Sequence, residues 1–584
     1  MGPGEDQTAG VTVTCGEAVA PAPPVEPGRR REVLALAALA AAVAVPLVVS
    51  GARLAAGGWT PTLDDGVIAT RSFDVFSTRS PALGQYSLAS APGAPPTHSP
   101  GPLLYWLLAV PTRFAPSWGT PVVLGLVSGL LLAAVVVLAG RRGGLAFATA
   151  TTVGLILLVR AIGIITLVEV WNPWVSLLPF LVLVMLTWSV IDGDRHLFPA
   201  AVLAASFVMQ THLTYMVPAA SLLLVALVGG WGGEAHAAWD RRRAGPARSH
   251  DSLRRSWLPL VAATGIGALC WASPLFQQLT GHPGNITLVA RAGGTASQRG
   301  GLDAARASMG RTLGMPPRWT RPRAEPVVDI FEGIRPGPLL GQITGALVVL
   351  ALGAVLVHAI RTGDRVVAGG AATAATATVA MVVVAASLPL DRGLVVGYSF
   401  QWFRIAGLFV WLLLGLAAAR WLPRRWARHG DMVARRGAAA VVVGAVSVGV
   451  FVLGLTLPRV DPIDALYEPA ARLGDRLVAA TVPSGTYSVR TSGPFELAFL
   501  PALVWRLRSE GRDPIVRADW ERSFGDGYGR TGRRCDGIVI LQSATDPLPA
   551  RARVVTTVGM TEAVGLPPRA RLALVPDTDP GGSC

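Results

Sequence analysis

The chain has 584 residues, of which 51% are hydrophobic and only 15% are charged, against about 25% charged in soluble domains. That gap excludes an ordinary soluble enzyme. The net charge of +15 contains no lysine, and its arginines gather at the ends of apolar runs, where the positive-inside rule puts them; this argues against a nucleic-acid binder.

Residues 1–28 are polar and proline-rich and are expected to be disordered in the cytoplasm, the disordered segment extending to about residue 31. Arg29, Arg30 and Arg31 precede the first apolar run, about Val33–Val49. No small-x-small cleavage site after it is convincing, so the run reads as a retained signal-anchor. A polar stretch with Asp64, Asp65 and Asp74 comes next. Gly101–Pro116 is apolar but broken by prolines, and reads as interfacial.

Further spans are expected at about Val122–Leu138, closed by Arg141 and Arg142, then Leu145–Ile165 and Trp174–Val190, ending in a polar turn at Asp192–His196. Leu197–Val228 fits one long helix or a hairpin with its tip near Gln210–His212. The hairpin keeps the arginines of the next loop (Arg241, Arg242, Arg243, Arg248, Arg254 and Arg255) in the cytoplasm. Spans follow at Trp257–Phe276 and, after a polar loop Gln277–Pro338, near Leu339–Ile360, Val366–Leu388 and Ile405–Leu416. The basic loop Arg420–Arg436 leads to a last span at Ala438–Leu457. The expected fold is therefore a polytopic α-helical membrane protein of about eleven spans. Its membrane part covers 32–457, with outer loops 58–120 and 277–338 and a cytoplasmic N-terminus in the plasma membrane.

The tail, 458–584, is too polar for the bilayer. Strands are expected at Thr486–Arg490, Gly537–Leu541, Val554–Val558 and Leu572–Val575, with a helix at Glu496–Ser509, which together read as a small extracytoplasmic α/β domain. Gly525, Gly527 and Gly529 lack the strand-to-helix setting of a nucleotide fingerprint and read as a loop. Cys15, Cys270, Cys535 and Cys584 form no CxxC. Cys535 and Cys584, both on the oxidising side, are expected to pair.

Several polar side chains map to one side of this topology. The adjacent pair Asp64 and Asp65 could share a divalent cation, or one could raise the other's pKa and create a base. The same pair in Asp-Asp-Gly is also good turn chemistry. His98 lies in Thr97-His98-Ser99-Pro100, just before the interfacial segment. Glu169 and Asn172 lie in Glu169-Val170-Trp171-Asn172-Pro173-Trp174. Arg160 sits in the third span, His212 at the hairpin tip, and Arg404 at the start of the tenth span after Tyr398, Gln401 and Trp402. Aromatic-belt anchoring for Trp171 and Trp174, snorkelling for Arg404 and a satisfied buried histidine at His212 could account for each alone; their convergence on one face is what suggests a site.

An acidic pair after the first span, a His-Pro-like motif opening an interfacial helix, and an acidic residue before a span beginning near Asn-Pro together resemble the GT-C superfamily. That superfamily includes protein O-mannosyltransferases and the bacterial aminoarabinose and arabinofuranosyl transferases. The likeness covers roughly Val33–Leu416. It implies an inverting glycosyltransferase that moves a sugar from a polyprenyl-phosphate donor to an envelope glycan or protein outside the cytoplasm. It further implies Asp64 or Asp65 as base, Glu169 as a second acid that supports a metal or the acceptor, and Arg404 or Arg160 on the lipid phosphate. His98, Asn172 and His212 would line the substrates, and a divalent cation (Mg or Mn) on Asp65 and Glu169 is the cofactor it suggests. This chain departs from the pattern in the Ser99 that interrupts His-Pro and in the glutamate at the second acidic position. A lipid-linked-glycan flippase and a non-catalytic envelope assembly protein are the rival readings; the flippase would be expected to show repeated halves, and the sequence has no such repeat.

Overall fold

A computed structural model describes residues 27–87, 95–244, 250–294, 296–321, 337–390, 397–421, 464–529, 533–560 and 566–576. It is mostly helical, with a small sheet near the C-terminus. Eight of the described helices are long and apolar enough to cross a membrane. The expected disordered N-terminus lies outside the described residues up to residue 26, whereas 27–31, expected to be disordered with it, begin the first helix; the expected last span at 438–457 also lies outside the described residues.

The first helix, α1 (Pro27–Ala56), lies along α4 (Gly119–Ile162). The helices approach closely because small residues face each other: a Cβ on Gly125 would stand 2.8 Å from Leu47 O, and one on Gly129 3.0 Å from Ala44 O. Small residues serve membrane helices this way, since lipid supplies no hydrophobic force between them. Between α1 and α4 come α2 (Leu63–Phe73), the two-residue antiparallel strands β1 (Tyr86–Ser87) and β2 (Thr97–His98), and α3 (Leu103–Phe114).

The 44 residues of α4 would extend about 66 Å if straight, twice a bilayer's hydrocarbon core. They fold back at Gly144, whose φ of 72° suits a residue without a side chain. The fold-back is visible at both ends. Ser128 Oγ donates to Leu167 O at 2.7 Å. At the bend, buried Arg142 pairs with Asp192 and Asp194, and Arg141 reaches Asp194 at 2.9 Å. The two expected spans thus stand as two helices that meet at Gly144, beside the arginines.

After the short α5 (Asn172–Val175) come α6 (Leu177–Ile191), α7 (Phe198–Thr211) and α8 (Met216–Ala244). The ambiguous stretch resolves as a hairpin. His212 breaks the helix in extended geometry (φ −151°, ψ 131°), and Phe198 meets Trp231 with ring centroids 5.3 Å apart. The bundle continues through α9 (His250–Thr280), α10 (Asn285–Gly294), α11 (Gly301–Leu313), α12 (Leu339–Thr362), α13 (Arg365–Ser387) and α14 (Gln401–Trp421). Helices α10 and α11 occupy what the sequence presents as a polar loop; their glycines and arginines hide a helical pattern.

The C-terminal domain holds α15 (Asp464–Ala480), β3 (Thr486–Thr491), α16 (Phe495–Ser509), β4 (Asp513–Ile515), α17 (Ala518–Phe524), β5 (Gly537–Ser543), β6 (Arg553–Gly559) and β7 (Arg569–Pro576). The sheet order is β4-β3-β5-β7-β6. Strand β3 runs parallel to β4 and β5, while β7 is antiparallel to both β5 and β6. Val489, Val539, Leu541 and Leu572 pack with Phe499, Leu503 and Leu507 of α16 and with Leu473 and Leu477 of α15. Val67 of α2 belongs to this same core. The domain and the acid-bearing helix are therefore one packing unit.

Candidate functional site

Helix α2 is apolar on two faces. Ile68 packs with Leu104, Tyr105 and Leu108 of α3, while Phe73 and Ala69 pack on Trp505 of α16. Asp64 and Asp65 occupy its first turn, where the helix dipole favours negative charge. Just before them Leu63 is left-handed, with φ of 49°. A branched side chain in that region costs about 1–3 kcal/mol, a strain that persists only where neighbours enforce it.

Asp64 and Asp65 differ in their surroundings. Trp171 donates its indole N–H to Asp64 Oδ2 at 2.6 Å, and the Gln85 side chain bonds the same carboxyl. Burial raises the Asp64 pKa, and these two bonds oppose the rise. Asp65 is held well above the usual carboxylate range, first by burial and then by the neighbouring Asp64 charge. By surface area both carboxyls are only half-buried, so they stand deep among protein atoms without being sealed from solvent. An acid so placed stays in reach of a substrate while water solvates its charge poorly.

An aromatic wall continues from Trp171. Its ring meets Trp174 at 5.2 Å and Tyr398 at 5.1 Å, both edge-on, and Tyr398 meets His212 at 5.7 Å. Burial and the Asp64 charge push the Tyr398 phenol up to about 12. Burial lowers His212 to about 4, so its imidazole is neutral at neutral pH, with Nδ1 2.8 Å from Thr214 Oγ1. Asn172 Nδ2 and Ser99 Oγ both donate to the Thr211 carbonyl, at 3.0 and 3.1 Å. They fix the break that presents His212. The structure thus brings together Asp64, Asp65, Asn172 and His212, with Glu169 buried two residues before Trp171.

Three further residues singled out in the sequence have contacts of their own. His98 joins segments: its Nε2 lies 2.8 Å from Arg522 O, and its backbone exchanges two hydrogen bonds with the Asn285 side chain. Arg404 is buried and donates from Nε to Gln401 Oε1 at 2.9 Å and from a terminal nitrogen to Arg318 O at 2.8 Å. It fastens the turn at Arg318–Thr320 to α14. Arg160 is exposed on the last turn of α4. Gln85, which completes the acid's surroundings, carries no motif that would have marked it in advance, and Tyr398 stands out in the sequence only as a neighbour of Arg404.

Among the described residues, no group of three or more His, Cys, Asp or Glu side chains could hold a metal ion. A separate open cleft of about 960 Å³ lies at the carboxyl ends of β3 and β5, lined by Ser492, Phe495, Ser543, Asp546 and Arg569 among others. Ligands of open α/β sheets often sit at such ends, but none of the residues named from the sequence lines it. No protein-family model matches this sequence, and no curated protein matches it.

Proposed function

We propose that the chain is a membrane glycosyltransferase that moves a sugar, with inversion, from a polyprenyl-phosphate donor to an acceptor hydroxyl outside the cytoplasm. The observation that carries this reading is the difference between two adjacent carboxyls: Asp64 is anchored by Trp171 and Gln85, while Asp65, partly exposed, is raised well above the usual range. One acid positions and the other takes the proton. In the reaction, the acceptor O–H gives its proton to Asp65. The freed oxygen attacks the anomeric carbon from the face opposite the phosphate. The carbon–oxygen bond to phosphate breaks, and polyprenyl phosphate leaves with the bonding pair.

A base is most effective when its pKa approaches the working pH, and burial moves Asp65 in that direction. The wall of Trp171, Trp174 and Tyr398 suits the apolar faces of a sugar ring. The neutral His212 adds a hydrogen-bonding edge without a competing charge. In this reading the N-terminus and the arginine-rich loops are cytoplasmic, and α2 and the C-terminal domain face outward. Lipid-exposed helices such as α9, with Val261, Leu269 and Phe276 outward, keep the enzyme beside a donor that cannot leave the bilayer. Glu169, buried and two residues before Trp171 in the chain, is assigned to the acceptor side. The test is transfer from polyprenyl-phosphate sugars by the purified full-length chain in a bilayer; no transfer with any donor of that class sinks the reading.

A further inference from the structure

The C-terminal domain grips the far end of the acid helix. Asp74, which directly follows α2, is 0% exposed. Its Oδ1 accepts from Arg508, Nε at 2.9 Å and a terminal nitrogen at 2.8 Å, and its Oδ2 accepts from the Tyr528 hydroxyl at 2.6 Å. The carboxylate therefore has both oxygens engaged by residues of the C-terminal domain. A second tie lies beside the first. Arg79 reaches Asp513 at 2.6 Å and stacks over the Tyr528 ring at 4.7 Å, and Arg533 also pairs with Asp513.

The grip runs the length of the helix. Gly66 faces Pro501, Phe73 faces Trp505 with centroids 5.9 Å apart, and Asp74 faces Arg508. Positions rise together on both helices, so α2 and α16 run parallel. At Gly66, next to Asp65, a Cβ would stand 2.7 Å from the Pro501 backbone; only hydrogen fits there. The other face of α2 rests on α3. Helix α2 is thus clasped between the membrane bundle and the C-terminal domain, with its acids at one end and a buried ion pair at the other, about 15 Å away along the axis.

We infer that the C-terminal domain is a working part of the site: Arg508 and Tyr528 act as positioning residues that, through Asp74, set where Asp64 and Asp65 stand. This rests on the reading of those two acids as the reacting groups. Removing Arg508 leaves a buried, uncompensated carboxylate. Asp74 then moves towards water, and α2, a continuous helix, moves with it. Gly66→Ala disturbs the same clasp without touching any charge.

The test is hydrogen exchange on the full-length protein in a bilayer, read on the segment 63–74, together with transfer kinetics. Arg508→Ala and Gly66→Ala are expected to raise exchange at 63–74 by roughly tenfold or more while 177–191 keeps its protection. Transfer kcat should fall roughly tenfold or more, with KM for the acceptor within about twofold. Arg508→Lys should recover part of both effects, and Arg472→Ala, on an exposed pair with Glu468, should change neither. If Arg508→Ala does not fold, Tyr528→Phe removes a single bond from the same carboxylate and gives the same local readout. Unchanged exchange at 63–74, or loosening spread evenly over the membrane helices, overturns the inference. A wild-type chain without transferase activity would sink the functional reading alone, because the exchange measurement still decides the clasp.

Discussion

The indole N–H of Trp171 meets Asp64 Oδ2 at 2.6 Å, across 107 positions of sequence. It joins the first polar segment after α1 to the entrance of α5. A hydrogen bond to a charged group is worth about 1.5–3 kcal/mol, so Trp171→Phe, which keeps the ring and removes the donor, is expected to lower kcat roughly 10- to 100-fold. Thermal stability should change far less than activity. Wild-type turnover in this variant would remove Asp64 from its anchoring role.

The pH profile separates the two acids. Asp65 must be ionised to act as base, so the rate rises as pH climbs through its pKa, which burial and the Asp64 charge hold above the ordinary carboxylate range. Asp64→Asn removes a negative neighbour and makes ionisation of Asp65 easier. The acid limb of kcat/KM is therefore expected to move to lower pH in Asp64→Asn, although maximal activity also drops. A limb that stays in place, or moves to higher pH, contradicts Asp65 as the titrating base.

Arg404 is conspicuous in the sequence and buried in the structure. The sequence suggests a phosphate ligand at the membrane surface; the structure shows a buried guanidinium holding Gln401 and the carbonyl of Arg318. Leaving a buried acceptor without its donor costs about 1–3 kcal/mol. Arg404→Ala is expected to lower the Tm measurably, and Arg404→Lys to recover only part, because an ammonium cannot reproduce the planar fork. A Tm equal to wild type in the alanine variant, with weakened donor binding, would restore the phosphate role.

Cys535 is disulfide-bonded and Cys270 is free; Cys15 and Cys584 lie outside the described residues. The partner expected from topology is Cys584. Mass analysis without reductant should find one cross-linked peptide joining the two, and alkylation should label Cys15 and Cys270 alone. Closing a loop of about 50 residues adds roughly 4 kcal/mol in the chain-entropy treatment, so Cys584→Ser should lower the stability of the C-terminal domain. A Cys535–Cys15 peptide would instead contradict the proposed placement of the N-terminus.

Much of the helical architecture is legible because lipid and water sort residues strongly. Apolar runs such as Leu339–Thr362 and Arg365–Ser387 lie within a residue or two of where hydropathy puts them. Strands β3, β5 and β7 are legible through their alternating or continuous apolar pattern. Helices α10 and α11 are not, since glycine and arginine mask their periodicity. In the site, Asp64 and Asp65 stand out because adjacent charges beside a membrane are costly. Gln85, Asp74, Arg508 and Tyr528 do not, because their meaning lies in contacts across as many as 454 positions, and a sequence displays no pairing at that range. His98 and Arg404 are conspicuous in the sequence, and in the structure both hold neighbouring segments together.

The most direct test of the account is transfer by wild type and Asp65→Asn side by side, in full-length protein reconstituted in a bilayer with polyprenyl-phosphate sugar donors. Asn keeps the shape of the side chain and removes the base. Loss of general-base catalysis predicts a fall in kcat of roughly 10²- to 10⁴-fold, with the folded protein recovered in normal yield and α2 still protected. Turnover by Asp65→Asn equal to wild type would contradict the central claim.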